Sequence, residues 1–332
     1  GENMVWADKY GDIGWQAVGI APIRKTHSGL IPVSGDGNFE WEDYIEIIEK
    51  PNLFNPEKGY IATANQNVTP QDYDRWDAIG YDWADPYRGD RVNNFLESKD
   101  KFNMEDMTNL QIDYYSIPSK QIIDMSKNYI SNNPEYFKKL IEWNNILDKN
   151  SIEAGIYIEW QTQIFYEFMK KHVPKSVQKY IDVQIYKVIE GISKMSDQEK
   201  TEFLNKTFDL TIKSLNEKYG DESSKWVYGQ PDYKHVKIYH PLEKVVNDSI
   251  KEIIGLNTYP RGGDGYTPGS TSNELNQRSG GSFRVVINTK EWDNSFATNS
   301  PGQSGNPKSK FYKNLYEDWA NDKFFPLLYS KN

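Results

Sequence analysis

The sequence predicts an α+β fold, on three observations. Residues 1–97 are rich in Gly, Pro and aromatics and hold only short β-like runs. Residues 98–220 carry apolar side chains at helical spacing. Residues 221–332 return to glycine-rich turns and short strands, and no repeat of solenoid length interrupts the order.

Asn3-Met4-Val5-Trp6-Ala7-Asp8 reads as a strand that turns at Lys9-Tyr10-Gly11-Asp12 into a second, Ile13-Gly14-Trp15. A further short strand is expected over Tyr60-Ile61-Ala62-Thr63-Ala64. Ser151 is placed to cap a helix whose apolar positions Ile152, Ile156, Trp160, Ile164, Phe165, Phe168 and Met169 keep helical spacing. Lys170, Lys171 and His172 then meet the negative end of the helix dipole, and Pro174 stops the helix. Ser196 and Glu199 form a capping-box pattern ahead of Phe203, Leu204, Phe208, Ile212 and Leu215, with Gly220 as the expected stop. These apolar stripes are core faces rather than cofactor boxes. The segment 262–281 is poor in apolar residues, yet Gly262-Gly263-Asp264-Gly265 and Gly280-Gly281 mark tight turns or a pocket-lining loop, not a free linker. Phe283-Arg284-Val285-Val286-Ile287 reads as a buried strand, and a polar turn system with Pro301, Gly302 and Gly305 follows over 292–307. A last helix is expected near 309–320.

The 332 residues suffice for one large domain or two ordinary ones. With 39 basic and 48 acidic residues the formal charge is −9, against a nucleic-acid or anionic-membrane partner. No apolar run is long enough to span a bilayer, so no membrane insertion is expected. There is no cysteine, which excludes disulfides, thiol nucleophiles and cysteine-held zinc.

Common catalytic motifs fail. In Gly302-Gln303-Ser304-Gly305-Asn306 the glycine comes one residue after the serine, not two, so this is no nucleophile elbow. His27, His172, His235 and His240 lack helical i, i+4 partners and read as structural. Gly262-Gly263-Asp264-Gly265 lacks the lysine of a phosphate loop. Glu40-Trp41-Glu42 suggests a glycosidase pair, but among 48 acids such pairs arise by chance. By residue type alone, Asn65 is an asparagine suited to turn geometry after a strand.

The order of a strand, Asp293-Asn294-Ser295, a second strand and Pro301-Gly302-Gln303-Ser304-Gly305 resembles the closing signature of the penicillin acylase (penicillin amidase) family of N-terminal-nucleophile (Ntn) hydrolases. In that family the signature lies in the carboxyl-terminal part of the catalytic β subunit. Gly59-Tyr60-Ile61-Ala62-Thr63-Ala64-Asn65, preceded by Phe54-Asn55-Pro56, resembles the segment whose asparagine amide donates to the oxyanion. The resemblance gives Asn65 that role, and one such preorganised donor contributes about 10²–10³ in rate. Tyr87-Arg88-Gly89-Asp90-Arg91-Val92 resembles the segment carrying an arginine near the reaction centre. Arg91 is the assigned counterpart, Arg88 the competing alignment, and a surface arginine paired with Asp85 or Asp90 the plain alternative. Resemblances at Asn3–Gly14, Pro32–Trp41, Met104–Asp113, Trp226–Leu242 and Phe324–Ser330 extend the likeness across nearly the whole chain.

The resemblance implies part of a four-layer αββα sandwich, with core in 1–97, a helical insertion over 98–220 and a return to the core in 221–332. It implies hydrolysis of a small-molecule linear amide, such as a penicillin, a cephalosporin side chain or an acyl-homoserine lactone, through an acyl-serine intermediate. The nucleophilic serine, which also supplies its α-amine as base, lies upstream of this chain, whose first residue is Gly1. The chain is therefore expected to be a fragment, inactive alone, whose partner is the amino-terminal portion of the same enzyme. No cofactor is required. Some family members hold a structural calcium through an aspartate between the asparagine and the arginine; Asp77 and Asp82 compete for that place, and no metal ligand is assigned. An extracytoplasmic location is expected from the family. The rival readings are an extracellular glycan-binding protein, using 10 Trp and 23 Tyr on a β scaffold, and an acylase relative without its nucleophile.

Overall fold

The structure, a computed structural model, describes residues 2–75, 79–181 and 183–330. It forms two units, one of Gly1–Asp100 with Ile287–Asp293 and Tyr329–Asn332, the other of Lys101–Val286 with Asn294–Leu328. Helices and short, open sheets, antiparallel apart from the parallel pair His235–Val236 and Asn276–Gln277, together give the expected α+β class.

In the first unit, Ile13–Val18 lies between Glu2–Ala7 and Asn52–Phe54 in a three-stranded antiparallel sheet. The register runs from Glu2 opposite Val18 to Ala7 opposite Ile13. The turn between these strands is made by Asp8, whose Oδ1 accepts from the backbone N–H of Tyr10 (2.8 Å) and Asp12 (3.0 Å). Gly11 supplies the positive φ of 101° that the turn requires. Pro22–Ile23 and Asp43–Tyr44 make a second, two-stranded sheet. The strand expected over 60–64 does not form. Ala64 N–H instead bonds the side chain of Gln66 at 2.6 Å, and Asn65 turns left-handed at φ 66°, so the segment folds back locally rather than pairing with a strand.

The second unit is organised by the helices Ile152–His172 and Asp197–Tyr219, which pack along each other. Ser151 Oγ accepts from Ala154 N–H at 3.0 Å, and Ser196 and Glu199 complete the capping box. Gly220 ends the second helix at φ 84°. Trp160, Phe137 and Phe208 meet edge to face with centroids 5.1–6.0 Å apart, and the Trp160 indole N–H bonds Thr207 Oγ1 at 3.1 Å. Gly155 is required here, because an added Cβ would lie 1.9 Å from the carbonyl oxygen of Trp226.

The segment from Arg261 to Thr271 is largely buried, as a structured loop rather than a linker. Arg261 bonds Gln277 Oε1 (2.9 Å) and the carbonyl of Ala320 (2.7 Å), and pairs with Asp322 (2.9 Å). Arg284–Val286, Phe296–Thr298 and Phe325–Pro326 form a three-stranded sheet. The last helix is only Tyr316–Ala320, shorter than 309–320. The residues before it make turns instead, with Gln303 and Ser304 N–H both donating to the Phe311 carbonyl.

Candidate functional site

Asn65 is exposed at the end of a loop, and three local contacts fix it. Its carbonyl accepts from Ala84 N–H at 3.1 Å. Its neighbour Gln66 is turned back onto Ala64. Its side-chain Oδ1 accepts from Arg88 Nη2 at 2.9 Å. A guanidinium can only donate, so the oxygen end of the amide must face Arg88, and the donor Nδ2 end points away from it. The arrangement is that of an amide donor with its orientation set by a charge.

Arg88 is carried by the helix Tyr87–Leu96. Asp85, itself buried, accepts from Tyr87 N–H at 3.1 Å as the helix begins. Gly89 lets this helix approach the loop, because a Cβ there would lie 2.5 Å from the Gln66 amide. Burial raises the Asp85 carboxyl above its usual range, while the backbone N–H of Tyr87 and the charge of Arg88 pull the other way. Burial likewise raises Asp90 and the Tyr87 phenol. Amide, guanidinium and carboxyl here can hold and stabilise negative charge. None of them is an attacking group.

Arg88, then, is the arginine bonded to Asn65. Arg91 lies one turn further along the same helix, half-buried. Sequence reasoning named both arginines and took Asp85 only as a surface partner, and it gave Gln66 and Gly89 no role. The Gln directly after Asn65 and the small residue inside Tyr-Arg-Gly-Asp-Arg were the available signals.

Other candidates resolve into scaffold. The Ser330 hydroxyl holds the Asp293 carboxyl low, with the backbone N–H of Ser330 (2.8 Å) and Tyr329 (2.6 Å) also donating to it. His240 Nδ1 accepts from Leu242 N–H at 3.1 Å, a capping role, and burial lowers His235. Glu42 is paired with Lys25. Asp82 is exposed and Asp77 lies outside the described residues. Among the described residues no three acidic or histidine side chains are grouped to hold a metal ion, and no helix is long and apolar enough to cross a membrane.

The family model for penicillin amidase matches residues 1–332. The acyl-homoserine lactone acylase QuiP of Pseudomonas aeruginosa is 24% identical over 98% of this chain and 44% of that protein. The penicillin acylase 2 proenzyme of Pseudomonas sp. (strain SE83) is 22% identical over 99% of this chain and 44% of its own length. The chain thus spans less than half of these relatives. The thermostable penicillin G acylase from Alcaligenes faecalis superposes with a TM-score of 0.68 at 15% identity, over 99% of this chain and 64% of that one. That likeness identifies the fold as an Ntn-hydrolase fold.

Proposed function

The chain belongs to the penicillin amidase family, and from that premise we propose that it carries part of a catalytic centre hydrolysing a linear amide to an amine and a carboxylic acid. The attacking group is a serine hydroxyl supplied by a segment outside this chain, with that serine's α-amine as base. Attack on the amide carbonyl gives a tetrahedral oxyanion; expulsion of the amine leaves an acyl-serine, which water then hydrolyses. Asn65 Nδ2 donates to the oxyanion in both halves of the reaction, Arg88 holds the amide in the donating orientation, and Arg91 supports the same region.

The observation that carries this reading is the 2.9 Å bond from Arg88 to Asn65 Oδ1. A donor must be aimed before charge develops if it is to favour the transition state over the ground state. The first sheet supports an additional covering portion. Met4 and Trp6 on one edge strand and Phe54 on the other are exposed on one face of the sheet, an apolar surface that a single chain ordinarily buries. The amino-terminal portion of the same enzyme is the proposed cover. Penicillins and acyl-homoserine lactones are the proposed substrates, from the names of the relatives, and an extracytoplasmic site completes the proposal.

The test uses the protein expressed from its full reading frame. Intact mass should show a precursor split so that a serine begins the chain containing Asn65. The processed protein should release primary amine from penicillin G or from a long-chain acyl-homoserine lactone. An unsplit protein that hydrolyses neither contradicts the proposal.

A further inference from the structure

Among the described residues two lysines are buried, and they are satisfied differently. Lys234, 1% exposed, donates its three N–H bonds to the carbonyls of Thr271 (2.8 Å), Ser272 (2.7 Å) and Glu274 (2.8 Å). Its capacity is full. Lys50, 4% exposed, donates to one carbonyl, that of Gly19, and pairs with no carboxylate among the described residues. Two of its N–H bonds remain, although an ammonium without counter-charge is costly to bury.

Lys50 lines a cavity of about 210 Å³ in the first unit. Trp15, Val18, Ala21, Pro51, Val68 and Trp83 give it an apolar side, and Asn3 and Thr69 add polar groups to the wall. We propose that this cavity is a binding site for a short-chain monocarboxylate, whose hydrocarbon packs between Trp15, Val18, Val68 and Trp83 and whose carboxylate accepts from Lys50. The size supports a small ligand, since drug-sized pockets run to about 300–1,000 Å³. Glu2 and Asp82 also border the cavity, but both are exposed. Solvent screens their repulsion of a bound anion, whereas the Lys50 ammonium is buried. Burial lowers the Lys50 ammonium from its ordinary value, and an anion bound against it would reverse that shift. The site stands apart from the amidase reading, although the acid released by such a reaction is of the same class.

Calorimetric titration of the full-length protein with hexanoate and with hexan-1-ol tests the site. Hexanoate should bind about tenfold or more tightly than the alcohol, the worth of a charge-assisted hydrogen bond. In Lys50→Met the two ligands should bind alike. Val68→Phe, which fills the cavity and keeps the lysine, should weaken hexanoate about tenfold or more. Hexanoate binding no tighter than the alcohol in the wild type, or unchanged in the folded Val68→Phe protein, would overturn the proposal.

Discussion

The two units of this chain bury their side chains to opposite degrees. In the second, Ile122, Leu140, Ile156, Trp160, Ile164, Leu204, Phe208 and Trp226 have no exposed surface. In the first, the buried apolar residues among those described are Trp15, Ala21, Ile45 and Tyr87, while Met4, Val5, Ile20, Ile31 and Phe54 face solvent. The helical unit is closed around its own core; the other presents loops, a sheet edge and the Asn65–Arg88 pair. Stability and proposed chemistry are thereby separated, and substitutions should divide along the same line.

Trp160→Ala should give the largest effect on stability, about 3–5 kcal/mol, because a fully buried indole and its bond to Thr207 are both lost. Denaturant unfolding measures it, and a loss under 1 kcal/mol would mean that the helical unit is not the stable half. In the first unit the effect should appear in turnover instead. Arg88→Ala should lower kcat about 10- to 100-fold with KM little changed, since one charge-assisted bond orienting Asn65 is removed. Arg88→Lys should restore part of it. Arg91→Ala is the control that separates the two arginines, and a larger loss there would transfer the positioning role one turn along the helix.

The buried Lys234 provides a pH signature for the second unit. Burial pushes its ammonium down from 10.5 to about 8. Below pH 8 both folded and unfolded chains hold the proton, and this group gives no pH dependence. Between pH 8 and 10.5 the unfolded chain binds more protons, so its contribution makes stability rise with pH. In Lys234→Met that rise should disappear from melting curves recorded from pH 7 to pH 10.

Smaller effects follow from the caps and the surface. Ser196→Ala should cost about 1 kcal/mol by freeing the Glu199 N–H that its hydroxyl accepts. Lys213→Ala, which removes only an exposed pair with Glu217 at 3.8 Å, should change stability by less than about 0.5 kcal/mol.

What was legible in the sequence followed from how local each signal is. The caps at Ser151 and Ser196 and the stop at Gly220 could be read because cap, dipole and apolar period lie within a few turns of one another. The turn at Asp8–Asp12 was readable for the same reason. Residues 60–64 were not, because a strand needs a partner, and here Gln66 and the left-handed Asn65 take the chain elsewhere. The short helix Tyr316–Ala320 was overextended because the bonds from Gln303 and Ser304 to Phe311 leave no trace in periodicity. Asn65 was singled out only through family resemblance, since alone it resembles any turn asparagine. Resemblance assigned Arg91, with Arg88 three residues away as the competing alignment, and the fold shows that Arg88 is the one bonded to Asn65. Lys50 carried no sequence signal at all, because its isolation depends on which carbonyls and carboxylates the fold brings near it.

The most direct test of the central claim is the turnover of an amide substrate by the processed full-length enzyme carrying Asn65→Ala. The account predicts kcat reduced about 10²–10³-fold with KM within a few-fold of wild type, as expected for a donor that acts on the oxyanion. Wild-type kcat in a folded, processed Asn65→Ala enzyme would contradict it.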